Sequence, residues 1–129
     1  MRNIIILIII GLTILSCSKN DDETSTDLTG KWNWIVSSGG IAGTTETPQT
    51  NGENRKLEIS TDSIKSYLNG ILNFKTKYTI ETRESIIFNE TREMIIQENG
   101  FRQIFDFSGN KLILTGDCND CFTSEYIKE

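Results

Sequence analysis

The chain of 129 residues carries three cysteines and no histidine, and this narrows the chemistry it can do. Cys118-Asn119-Asp120-Cys121 is a Cys-x-x-Cys pair, which can close as a disulfide, act as a redox dithiol or supply half of a zinc site. Structural zinc takes four thiolate or imidazole ligands, and no imidazole is present. Redox cysteines need a helix N-terminus or nearby cations to lower their pKa, whereas Asp117 and Asp120 flank this pair and oppose thiolate formation. A structural disulfide is the expected state, with two free thiols as the alternative. Closing so short a loop stabilises by only about 2 kcal/mol. Without histidine neither a Ser-His-Asp nor a Cys-His arrangement can be built. A glycosidase needs two carboxylates held across a cleft. Here Asp21-Asp22 lie in a polar stretch, and Glu81, Glu84, Glu90 and Glu93 read as turn or strand-face residues. The expectation is a protein with no enzymatic activity, no metal and no cofactor.

The remaining cysteine, Cys17, ends a different pattern. Arg2 is followed by the apolar run from Ile4 to Leu15 and then by Ser16-Cys17, a cationic start, a short hydrophobic region and a small residue before the cysteine. This reads as an export signal. Spanning a bilayer takes roughly 20 apolar residues, more than this run supplies. Ile14-Leu15-Ser16-Cys17 resembles the lipobox of bacterial lipoproteins, which implies cleavage after residue 16 and acylation of Cys17, with palmitate-type chains as the membrane anchor. Residues 17–27, rich in Asp, Glu, Ser and Thr, then read as a flexible acidic tether. Acidic residues just after such a cysteine resemble the surface-export signal of Bacteroidota lipoproteins, so the implied location is the outer membrane, at its periplasmic face or the cell surface.

Removing residues 1–16 takes away one cation, Arg2, and leaves 12 Lys and Arg against 18 Asp and Glu. Nucleic acid and anionic headgroups are therefore disfavoured partners, because no surplus of cations exists to displace counterions from phosphate. The 113 residues that remain of the 129 suffice for one domain with a modest core.

These elements would have to be positioned by strands. From Leu28 onward the pattern has period two: Leu72, Phe74, Thr76, Tyr78 and Ile80 alternate with Asn73, Lys75, Lys77 and Thr79. Leu57 and Ile59 alternate with Lys56 and Glu58, Met94 and Ile96 with Glu93 and Gln97, and Leu112 and Leu114 with Lys111 and Thr115. Asn69-Gly70, Asn99-Gly100 and Ser108-Gly109-Asn110 tolerate the positive φ of tight hairpins. Strands are predicted near 30–37, 55–60, 64–69, 71–80, 84–89, 92–98, 101–107, 111–116 and 121–128. Eight result if 84–98 is one bent segment, nine if it is two. Short hairpin-linked strands leave unpaired edges unless the sheet closes, so the fold class is all-β, an antiparallel up-and-down barrel.

Gly30-Lys31-Trp32 matches the Gly-x-Trp motif opening the first strand of lipocalins. Taken with Trp34, the Gly/Thr segment 38–48 and the carboxyl-terminal Asp117-Cys118, Phe122-Thr123 and Tyr126, the chain resembles the lipocalin-like lipoproteins of Bacteroidota over residues 28–129. The resemblance implies a lipocalin-like barrel holding a small hydrophobic ligand. Cys121 departs from the family's pattern, so the redox state of that turn is not implied. A structural or protein-interaction module of the envelope, with a packed core, is the alternative. Trp32 fits as the plug at one end, with Gly30 letting the chain turn in tightly and Trp34 facing inward above it.

The connection from Ser37 to Asn54 is long for a loop, and long loops are often functional. Gly39, Gly40, Gly43, Thr44, Thr45 and Thr47 are its candidates for a polar ligand contact or a lid. It is no phosphate loop, since no Gly-Lys-Ser/Thr follows. Asp62-Ser63-Ile64 also resembles a short O-glycosylation motif of Bacteroidota.

Overall fold

The structure, a computed structural model, describes residues 27–129. The expected export signal, Cys17 and all of the 17–27 segment but Asp27 lie outside the described residues. Nine strands and one short helix follow in order: β1 (Gly30–Gly39), β2 (Thr44–Glu46), α1 (Pro48–Asn51), β3 (Arg55–Ile59), β4 (Ser63–Leu68), β5 (Ile71–Glu84), β6 (Thr91–Gln97), β7 (Arg102–Ser108), β8 (Lys111–Gly116) and β9 (Phe122–Lys128). Each strand from β3 to β9 pairs antiparallel with the next, β1 pairs with β3, and β1–β9 pairing closes the ring. The result is the eight-stranded up-and-down barrel, with β2 as an extra strand on β1.

Closure follows from the alternation. Register places Trp32 beside Leu57, Leu57 beside Ser66, and Leu112 beside Tyr126, so one parity of every strand points inward. The buried core is Trp32, Leu57, Ile59, Ile64, Tyr78, Ile95, Leu112 and Leu114, with Phe105, Phe107 and Tyr126 packed against it. Six of the turns between strands use positive φ, among them Asn69-Gly70 at 50° and 80°, as the Asn-Gly signal requires.

Several expectations need correction. Residues 84–89 are not a strand, and 84–98 is not one bent segment: β5 runs on to Glu84, and a turn leads into β6. The backbone donors there are taken by side chains, with Ile86 and Ile87 N–H donating to Asp117 and Phe88 N–H to Ser85 Oγ. A segment whose N–H groups are spent this way has none left for a ladder. The ninth strand is β2, inside the connection predicted as a loop. The same connection contains α1, started by Pro48 and by a capping box between Thr47 and Thr50.

In β6 the expected faces are exchanged. Ile95, not Met94 or Ile96, stands opposite Gln103 on the interior side, and Gln97 shares that side. Three consecutive apolar residues give no alternation to read, so only pairing fixes which one goes in. On β5, Leu72, Phe74 and Ile80 are 51%, 43% and 43% exposed although Tyr78 is buried. A bulge supplies part of the reason: Ser66 faces Phe74 but Tyr67 faces Leu72, leaving Asn73 unpaired and turning Leu72 outward.

Candidate functional site

Trp32 is completely buried. Its indole N–H donates to the Leu28 carbonyl at 2.8 Å, its ring lies 6.3 Å from that of Phe107, and the Lys128 ammonium is 5.3 Å from the ring centre. Gly30 has φ +134°, and a Cβ there would come 3.2 Å from Lys128 Cε. Both features make glycine the residue that fits beside the plug. Trp34, also buried, donates through Nε1 to Ser37 Oγ at 2.7 Å, and Ser37 bonds Ser124 across the β1–β9 seam at 2.6 Å. The Arg55 guanidinium stacks 4.2 Å above Trp34, held by Glu53 and Glu46.

Above this floor the interior is not filled. A cavity of about 590 Å³ opens between the β3–β4–β5 wall and the opposite strands. Leu57, Ile64, Phe74, Phe101, Leu114 and Tyr126 give it an apolar wall, Ser66, Thr76, Gln97, Asn99 and Gln103 bring hydroxyls and amides into it, and Lys75 is the charged residue of its lining. Gln97 Nε2 donates to Gln103 Oε1 at 3.2 Å, leaving further amide donors and acceptors for an occupant. Burial raises the pKa of the Tyr126 phenol above its usual value, so Tyr126 stays a neutral hydrogen-bonding group at physiological pH. The volume lies within the ordinary range for small-molecule sites. A second hollow of about 470 Å³ lies around Asn33, Trp34, Arg55, Lys56, Glu58 and Tyr67. Its cations are already matched, Arg55 by Glu46 and Glu53 and Lys56 by Glu129, which leaves the interior cup as the better candidate.

The Gly/Thr candidates stand at the mouth and do not line the cup. Gly39 pairs with Thr44, Thr45 with Ser38, and Thr47 caps α1. Gly40 and Gly43 shape the turn between β1 and β2, at φ +77° and +61°. A Cβ on Gly39 would lie 2.6 Å from the Cys121 carbonyl oxygen, so the carboxyl-terminal turn presses directly on this loop. Cys118 and Cys121 face each other at disulfide distance, with Cα atoms 5.4 Å apart. Among the described residues no cluster of three or more His, Cys, Asp or Glu is placed to hold a metal ion.

One feature escaped sequence reasoning. Asp117, 4% exposed, accepts from Ser85 Oγ at 2.7 Å and from Ile86 N–H at 2.9 Å, and pairs with Arg102. Burial works to raise its pKa, but the bonds from Ser85, Arg102 and the Ile87 and Ile86 amides together hold the carboxyl below its usual value. Asp117 looked like an acid flanking the cysteines because its partners lie 15 to 32 residues away. No local signal announces them.

The fold and the cup together define an eight-stranded antiparallel barrel with a partly open interior. Comparison with protein-family models, curated proteins and solved structures finds no match for this chain.

Proposed function

We propose that this protein is a lipid-anchored, non-enzymatic binding barrel of the lipocalin-like kind, held at the outer membrane by acyl chains on Cys17 and taking a small amphiphilic molecule into its interior. The cup of about 590 Å³ carries this reading. Its apolar wall suits a ring or short chain, and its amides, hydroxyls and Lys75 suit a polar head. The anchor reading rests on the Arg2 to Cys17 pattern. In cells, Cys17→Ala should yield a protein without acyl chains, and mass spectrometry finding an acylated Cys17→Ala protein would remove that part.

The cup is tested by filling it. The intact barrel should bind an environment-sensitive naphthalene dye, and Leu114→Trp, which adds bulk at the cavity wall, should weaken that binding at least about tenfold. Overpacking of this kind costs about 1–3 kcal/mol of stability, so the variant should remain folded. No dye binding by the intact protein would leave the second reading, a structural or protein-interaction module. That reading is favoured by the way Trp32, Phe105 and Phe107 already pack one part of the interior.

A further inference from the structure

Antiparallel alternation sends the β1–β2 turn and the β4–β5, β6–β7 and β8–β9 turns out of the same end of the barrel. These segments carry Ile41, Ile71, Leu72, Phe74, Phe101 and Phe122, which are 91%, 74%, 51%, 43%, 39% and 42% exposed. Contacts tie them into one rim. A Cβ on Gly40, next to Ile41, would lie 3.3 Å from the Phe122 ring. A Cβ on Gly116 would touch both Cys121, beside Phe122, and the Phe101 ring. Phe101 and Phe74 border the same cup. Scattered exposed apolar residues need no explanation, but a contiguous set around a cavity mouth does.

Charge says what could cover it. Residues 32–45 and 66–74 contain no charged side chain, so the two longest parts of the rim offer nothing to a charged partner. The other two turns carry Glu98, Asp117 and Asp120 against Arg102, which is paired with Asp117, and Lys75 borders the cup mouth beside Phe74, so no surplus of cations favours an anionic surface. We infer that the rim formed by Ile41, Ile71, Phe101 and Phe122 docks on a zwitterionic lipid surface, bringing the cup mouth against the bilayer. Chain length permits this under the anchor reading stated above. The ten residues after Cys17 reach about 35 Å when extended. A ten-residue strand at barrel tilt rises about 25 Å, so a lipidated Cys17 can lie in the plane of the rim although β1 begins at the other end.

The barrel closes and packs its core within residues 28–129, so the chain from Ser18 folds without its anchor and can be tested free of acyl chains. Mixed with phosphatidylcholine vesicles, it should co-float with them. Ile41→Ser/Ile71→Ser/Phe122→Ser, none of which lines the cup, should lower vesicle binding at least about tenfold. Ile80→Ser, 43% exposed on β5 and part of neither the rim nor the cup lining, should leave it unchanged. If the triple variant misfolds by circular dichroism, Ile41→Ser alone, in an open glycine turn, should still weaken binding measurably. Absence of co-flotation overturns the inference, and so does equal loss in the triple variant and in Ile80→Ser. Rim-dependent dimerisation without vesicle binding would give the surface to a second copy instead. Leu114→Trp separates the two proposals: loss of dye binding with vesicle binding kept shows that the rim acts independently of the cup, and loss of vesicle binding alone leaves the cup reading standing.

Discussion

Trp32→Ala is expected to destabilise the barrel by about 3–5 kcal/mol, the range for deleting a large buried aromatic side chain. The substitution removes a fully buried indole, its bond to the Leu28 carbonyl and its contact with the Phe107 ring at the end of the core. Nothing nearby can collapse into the space without moving β1, which is paired on both sides by β3 and β9. Urea denaturation of the wild-type and variant barrels measures the difference. A variant as stable as wild type would remove Trp32 from its role as the plug. Trp34→Ala offers a useful contrast, because it removes the indole bond to Ser37 Oγ and the ring under Arg55 but keeps the Ser37–Ser124 bond, the Arg55 ion pairs and the floor of the barrel.

Asp117→Ala should cost about 3 kcal/mol, the lower end for breaking a buried ion pair. It leaves Arg102 without its carboxylate and removes the acceptor for the Ser85 hydroxyl proton and the Ile86 and Ile87 amides. Register adds a further consequence. Met94 and Ile104 face each other on the outer side of the wall, yet both are completely buried. Arg102, two residues before Ile104 in β7, has that outer parity, and its partner Asp117 holds the turn through Ser85, Ile86 and Ile87. Losing the clamp should raise hydrogen exchange across residues 85–96 before the rest of the sheet opens. The pH dependence has a definite sign. A carboxyl whose folded pKa lies below its unfolded value contributes stability that is present above about pH 4 and is lost as pH falls through the folded value. The difference between wild type and Asp117→Ala should therefore be full at neutral pH and shrink on acidification. A difference that is constant from pH 7 to pH 2 would rule out the ionised carboxylate as the source.

The local part of this structure was legible in the sequence. Period-two alternation in 55–60 and 111–116, the Asn-Gly turns and the Gly30-x-Trp32 start each depend on neighbouring residues alone, because a strand's side-chain parity and a turn's φ are properties of a few consecutive residues. They fixed the fold class and the plug. Where both faces of a strand are apolar, as in Met94-Ile95-Ile96, sequence parity carries no direction and pairing with β7 chose Ile95 for the interior. Residues 84–89 read as a strand because Ile86, Ile87 and Phe88 are strand formers, but the Ile86 and Ile87 amides go to Asp117, some 30 residues later, and the Phe88 amide to Ser85 Oγ. The cup was no more visible: Gln97 reads as an outward polar position, and only closure of the ring brings it beside Leu114 and Tyr126. The sequence by itself determined most of the strands, how most of them turn, and that the chain has no histidine for a Ser-His-Asp or Cys-His arrangement. The tertiary structure decided which faces point inward, where the interior stays empty and which distant carboxylate holds the outer turn, since each of these depends on register and closure between residues far apart in the chain.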